Sequence, residues 1–184
     1  MNIFILDRDP IIAAQLQCDK HVVKMIVESA QMLSTAHRIL DGTMEKRPSK
    51  SGRTTVKYYK HPDNKMEDGL YKAVHFGHPC TVWTMESKAN YAWHVNHFIA
   101  LLEEYKYRYG KLHESRKLIP LLWNIPKNIP MSTELTPFKL AMGSNPECVQ
   151  ENPVEAYRAF YQTKQDRFKM VWTHRDVPEW FEVR

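Results

Sequence analysis

The chain has 184 residues, 43% of them apolar, with 26 lysines and arginines against 21 aspartates and glutamates, a formal net charge of +5. Length and composition fit one globular domain and exclude a disordered chain, and no apolar run reaches the ~18 residues of a membrane span. The positive balance favours an anionic partner: nucleic acid, a nucleotide or phosphate.

The opening Met1 to Asp7 stretch is too short and too uncharged for a signal peptide. Cys18, Cys80 and Cys148 are an odd, widely spaced set with no metal pattern, which reads as reduced thiols in a cytoplasm. Asn2 to Leu6 is apolar enough for one short strand at most. Asp9 then supplies an N-cap carboxylate and Pro10 an N1 residue whose missing N–H is no loss. Asp41-Gly42 is a stop signal, with glycine expected in the left-handed conformation. The spacing predicts one unbroken helix from Pro10 to Leu40.

Wound at about 100° per residue, that helix sorts into two stripes. Ile12, Leu16, Val23, Ile26, Ala30, Leu33 and Leu40 form a core stripe; Gln17, His21, Lys24, Glu28, Gln31 and Thr35 form a polar one, with Lys20 beside it. A solvated face normally repeats long charges, whereas this one mixes imidazole, ammonium, carboxylate and amide. Gln15 and Asp19 fall inside the apolar arc. A carboxylate there either ties down a neighbouring loop or an arginine, or carries a raised pKa usable in acid–base chemistry.

Asp41 to Asp68 reads as a long basic loop or hairpin, a flexible insert in which Thr54 to His61 can form a strand. Its Lys46, Arg47, Lys50, Arg53, Lys57 and Lys60 interleave with Tyr58 and Tyr59. That pattern suits a nucleic-acid strand, and equally a solvated loop. A second long helix is predicted from Pro79 to Tyr109. Its polar stripe, Glu86, Asn90, His94, His97, Glu104 and Arg108, is flanked on both sides by apolar residues, so it faces inward, towards the polar stripe of the first helix. His94-x-x-His97 has metal-ligand spacing, but no HExxH or CxxC motif adds further ligands, and no metal or cofactor is expected.

Beyond Gly110 the pattern gives a short helix, His113 to Trp123, interrupted at Pro120. A rigid extended connection follows from Asn124 to Pro137, then one or two helical turns in Thr136 to Met142. A last helix runs from Val154 to about Phe168. The aromatic tail, 169–184, is expected to pack back on the body and close one side of a cleft, where Lys164, Arg167, Lys169, His174 and Arg175 add positive charge. The expectation is a mainly α, compact single domain, 1–184, built on two long antiparallel helices with a basic cleft between them.

Several of these residues carry a resemblance. Ala13-Ala14-Gln15, Lys20-His21-Val22-Val23-Lys24, Gly77-His78 and the aromatic helix ending Tyr107-Arg108-Tyr109-Gly110-Lys111 resemble the bacteriophage pyrimidine-dimer DNA glycosylase (endonuclease V) family. The LDxDP…CDKHVVKM stretch is similar to small tailed-phage proteins of unassigned function. The resemblance covers about two thirds of the chain as an order of elements. It implies a helical domain with DNA across a basic face, an N-terminal amine attacking the sugar to form a Schiff base, a helix glutamate as acid–base, and arginines on phosphates. Lys20 and Lys24 fall where those arginines fall. His21 stands at the glutamate position, where its near-neutral unperturbed pKa suits a proton shuttle, and Glu28 lies on the same stripe to supply the carboxylate. Asn2 is a poor context for removing Met1, which leaves Lys20 or Lys24 as the amine nucleophile.

The resulting expectation is a cytoplasmic phage protein acting on nucleic acid, glycosylase- or lyase-like. His21, Lys24 and Glu28 would be catalytic, and Asp19, Lys20, Asn90, His94, His97 and Arg108 substrate-binding. The alternative is a protein that sequesters a small, for example cyclic, nucleotide of host defence, or hydrolyses it as a phosphodiesterase would. No membrane partner is expected, and the sequence leaves the oligomeric state open.

Overall fold

The computed structural model describes all residues, 1–184. Helices dominate: seven α-helices and one two-stranded sheet, with 49% of the chain helical. They are α1 (Pro10–Gln15), α2 (Asp19–Asp41), β1 (Thr43–Pro48), β2 (Thr55–Lys60), α3 (Asn64–Gly69), α4 (Pro79–Glu86), α5 (Lys88–Tyr109), α6 (Ile119–Leu122) and α7 (Pro153–Gln162). Short 3-10 turns lead into α6 and follow α7. No helix is long and apolar enough to cross a membrane.

The predicted first helix is broken in two at Leu16 to Cys18. Propensity alone would carry it through, but tertiary partners take over the groups that a continuous helix would pair internally. Arg108 donates to the carbonyls of Gln15 (2.9 Å) and Gln17 (2.8 Å), and the Trp172 indole donates to that of Leu16 (2.9 Å). On the donor side, Cys18 N–H reaches the Tyr161 hydroxyl and Asp19 N–H the Val171 carbonyl, both at 2.8 Å. The break swings α1 away, so Ile12, assigned to the core stripe, is 43% exposed. Val23, on the outer side of α2, is also exposed.

The second predicted helix breaks as well. Ser87 leaves the helical region (φ −156°, ψ 159°) and its Oγ caps α5 by accepting the Asn90 N–H at 3.0 Å. Asp9 caps α1 as expected, accepting from the Ile11 and Ile12 amides. Gly42 corrects the left-handed expectation: it is extended, at φ −91°. Glycine is needed there for close approach, because a Cβ would lie 2.4 Å from the Arg38 carbonyl oxygen and 2.9 Å from that of Lys60. Gly110 does take the left-handed conformation after α5.

One buried apolar cluster unites the N-terminal segment, α2, α4, α5, α7 and the tail. Asp19 at the start of α2 contacts Arg108 near the end of α5, and His37 near the end of α2 contacts Tyr91 near the start of α5. Ile3 to Leu6 is buried coil, not strand, and Thr136 to Met142 holds no helical turn. Trp172 and Phe181 of the tail pack into the core.

The insert forms a hairpin, Thr43 opposite Lys60 through Pro48 opposite Thr55. Its root is anchored rather than loose. The buried Arg38 guanidinium donates to the carbonyls of Tyr59, Glu67, Leu70 and Tyr71 and to the Glu67 carboxylate. Burial raises the Glu67 pKa, but bonds from Tyr58, the His61 amide and Arg38 outweigh it and hold the carboxyl down at about 2. Tyr58 is bonded to Glu67 and covered by Arg47, so that ring serves the hairpin itself.

A candidate anion cleft

The polar stripe of α2 does not face α5. It faces the N-terminal segment and the turn after α7, where a cleft of about 210 Å³ is lined by Met1, Asn2, Phe4, His21, Lys24, Glu28, Ala141, Phe160, Lys164, Arg167 and Phe168, among others. His21, Lys24 and Glu28, three to four residues apart, are presented to it from successive turns of one helix face. Lys20 caps the rim, its ammonium 4.6 Å from the centre of the Phe168 ring.

His21 is set by a two-step bond. The Tyr161 hydroxyl accepts the Cys18 N–H and is also hydrogen-bonded to His21 Nδ1 at 2.8 Å, which fixes the ring's orientation. Phe4 stacks on the same ring at 4.6 Å. Phe4 takes a left-handed φ of 57°, fixed by Asn2 Oδ1, which accepts the amides of both Ile3 and Phe4. A strained non-glycine residue of this kind persists only where its surroundings over-determine it. Burial, with Lys24 and Lys164 nearby, lowers the His21 pKa to about 3. With its pKa held that low, the His21 ring is neutral at neutral pH.

Glu28 is the only carboxylate lining the cleft. It accepts the Asn2 N–H at 2.8 Å, with the Met1 amine 3.8 Å away and Lys24 Nζ at 3.5 Å. Opposite it, Lys164 lies with Nζ 3.3 Å from the centre of the Phe160 ring and has no carboxylate partner. Burial, then Arg167, lower the Lys164 pKa to about 8; Cys148 opposes them, and Lys24 adds a smaller lowering. The cleft thus holds three cationic side chains against one carboxylate, walled by Phe4, Phe160 and Phe168.

The other predicted binding residues lie elsewhere, and each is held by an internal partner. Asn90 bonds to the Trp83 carbonyl and to Thr136. Thr84 gives its proton to the Cys80 carbonyl, so His94 Nδ1–H donates to Thr84 Oγ1 at 2.7 Å. His97 Nε2 meets the Gln17 amide at 3.2 Å. Arg108, Asp19 and Glu104 form a buried ion-pair network, with Asp19 also accepting the Thr173 amide and hydroxyl. The expected cleft between α2 and α5 is therefore corrected: core side chains such as Ile26, Leu33, Phe98 and Leu101 are fully buried in these helices. A larger recess of about 380 Å³ beside α1 and α5 is lined by Glu103 and Glu104 without a lysine or arginine, the wrong charge for an anion.

The sequence reading missed Met1 and Asn2 as cleft residues and gave Lys164 only a general charge role. The signal available was the Pro153 start, which places Phe160 and Lys164 four apart on one face. Comparison of the chain with family models, curated proteins and solved structures finds no match.

Proposed function

We propose that this chain acts on nucleic acid in a glycosylase- or lyase-like manner, with the cleft at the outer face of α2 as its site. The observation that carries the reading is that one cleft is lined by both Glu28, held by a main-chain N–H, and Lys164, an amine whose pKa is brought down to about 8. Such an amine is a nucleophile at mildly alkaline pH, where an ordinary lysine is not. In this reading the Lys164 lone pair forms a C–N bond at the sugar C1′. The glycosidic bond breaks with its electron pair leaving on the base, and Glu28 takes the proton the amine gives up. Lys24 and Arg167 hold the flanking phosphates, and His21 hydrogen-bonds the sugar or phosphate. The Met1 and Lys24 amines, both beside Glu28, are the further amines of the cleft. The two long helices run antiparallel behind this face and supply its rigid wall. The free, buried cysteines Cys18, Cys80 and Cys148 support a reducing, cytoplasmic setting.

A second reading rests on size. About 210 Å³ is below the usual ~300 Å³ of a drug-sized pocket, enough for the phosphate and part of one small nucleotide, which favours capture of a phosphorylated nucleotide. Borohydride reduction in the presence of an abasic duplex separates the two. A trapped adduct that maps to the Lys164 peptide supports the lyase. Tight nucleotide binding with no adduct and no turnover removes it in favour of capture.

A further inference from the structure

His37 and Asp41 are four apart on α2 and so share one face at its last turn. His61, immediately after β2, is brought against them by the hairpin root that Arg38 anchors. His37 Nδ1, Asp41 Oδ2 and His61 Nε2 form a cluster in which ligand atoms lie within 4.8 Å of one another. His37 is 1% exposed and His61 6%. Both His37 Nδ1 and His61 Nε2 are buried without a hydrogen-bond partner. Two orphaned imidazole nitrogens turned towards one carboxylate are costly for a core to carry unless something binds them.

We propose that this cluster is a site for a divalent transition metal ion of the zinc type, held by His37 Nδ1, Asp41 Oδ2 and His61 Nε2 with a water as its fourth ligand. Two imidazoles and a single carboxylate fit zinc, while calcium and magnesium require more oxygens. The surrounding bonds are those that orient metal ligands. Tyr91 gives its proton to the Leu122 carbonyl (2.9 Å), so its oxygen accepts from His37 Nε2–H (2.8 Å). That fixes the His37 tautomer with a free lone pair on Nδ1. The Asn124 backbone also makes a polar contact with the His37 ring, too poorly aligned to satisfy Nδ1 as a hydrogen bond, and the metal would take its place. Asp41 is oriented by the amides of Lys127 (2.8 Å) and Asn128 (2.9 Å).

Around a tetrahedral zinc with ~2.0 Å bonds, ligand atoms sit about 3.3 Å apart. His61 Nε2 and Asp41 Oδ2 are 3.9 Å apart and no pair exceeds 4.8 Å, so the ion would draw the ligand atoms together by roughly half an ångström to about 1.5 Å. One bond changes. His61 Nδ1 accepts the Asp63 N–H at 3.1 Å, which puts the proton of the neutral ring on Nε2. On binding, that proton moves to Nδ1, the Nε2 lone pair goes to the metal, and the exposed Asp63 N–H turns to water. Since the ligands are buried, the ion pins the hairpin and the 124–128 segment to the end of α2.

The test uses the untagged full chain, stripped with chelator and titrated with zinc chloride or with cobalt(II) as a spectroscopic probe. The expected result is one metal per chain, cobalt bands of tetrahedral nitrogen–oxygen ligation, and a zinc-dependent rise in thermal midpoint. His61→Gln and Asp41→Asn should each weaken binding ~10-fold or more, while His75→Gln, an exposed histidine outside the cluster, should not. If these variants fail to fold, paramagnetic shifts of the His37 and His61 ring protons in the wild-type cobalt complex decide. No saturable binding, binding that the two variants leave unchanged, or cobalt shifts on other histidines overturns the proposal.

Discussion

Arg108 of α5 meets Asp19, the first residue of α2, at 3.0 Å beside the break between α1 and α2, with the arginine side chain fully buried. The same guanidinium also closes the carbonyls of Gln15 and Gln17 and pairs with Glu104, which in turn holds Arg175 of the tail at 2.6 Å. One side chain therefore sets the end of α1, the start of α2 and, through Glu104, the approach of the tail.

Arg108→Ala should destabilise the fold by about 3–5 kcal/mol, the usual loss when one partner of a buried pair is removed. Arg108→Lys should restore little, since a single ammonium cannot span the fork of acceptors. Urea denaturation checks this. A loss of ligand affinity without a loss of stability would return Arg108 to a binding role.

Stability should fall as the pH drops from about 6.5 towards 4. Burial lowers the pKa of His21 and of His97 to about 3, and of His94 well below its ordinary value. The unfolded chain binds protons on these residues below ~6.5 while the folded chain does not, so protons favour unfolding. Each such histidine contributes up to about 1.4 kcal/mol per pH unit in that window. Denaturation midpoints between pH 7 and 5 measure the slope. A flat profile contradicts the buried, neutral state of these rings.

Two local devices can be tested alone. Ser87→Ala removes the cap of α5 and should lose about 1 kcal/mol. Gly42→Ala drives a methyl group into the Arg38 and Lys60 carbonyls and should lose about 1–3 kcal/mol. Thermal melts of both variants read the outcome, and a neutral Gly42→Ala would show that the backbone there yields freely.

Much of this fold was legible where the signal was local. Asp9-Pro10, Pro79, Gly110 and Pro153 mark helix ends through chemistry that needs only neighbouring residues. The breaks at Leu16 to Cys18 and at Ser87 were not legible in the same way. The first depends on Arg108, Tyr161, Val171 and Trp172, about 90 to 155 residues away along the chain, whose bonds outbid helix propensity. His21, Lys24 and Glu28 were legible as one face of a helix, but the opposite wall of their cleft comes from Met1, Asn2 and Lys164, which periodicity cannot bring together. Polar stripes on α2 and α5 suggested mutual facing. Burial of Asn90 and His94 instead answers to the local partners Trp83 and Thr84, and the two stripes meet only where Gln17, at the break before α2, reaches His97.

The Lys164 amine should titrate with a midpoint near 8, well below an ordinary lysine at ~10.4. Carbon-13 NMR of reductively methylated protein can read it. The rate of any borohydride-trapped adduct should rise with pH through the same midpoint, because only the neutral amine attacks. A midpoint above 10 contradicts its role as nucleophile.

The most direct measurement is the affinity of the Lys24→Ala, Lys164→Met double variant for an abasic duplex and for a panel of mono-, di- and cyclic nucleotides, beside the wild type. Binding that falls by at least about tenfold, a loss of ~1.4 kcal/mol, with the melting profile preserved, is the predicted result. Unchanged affinity for every ligand that the wild type binds would contradict the placement of the site in this cleft.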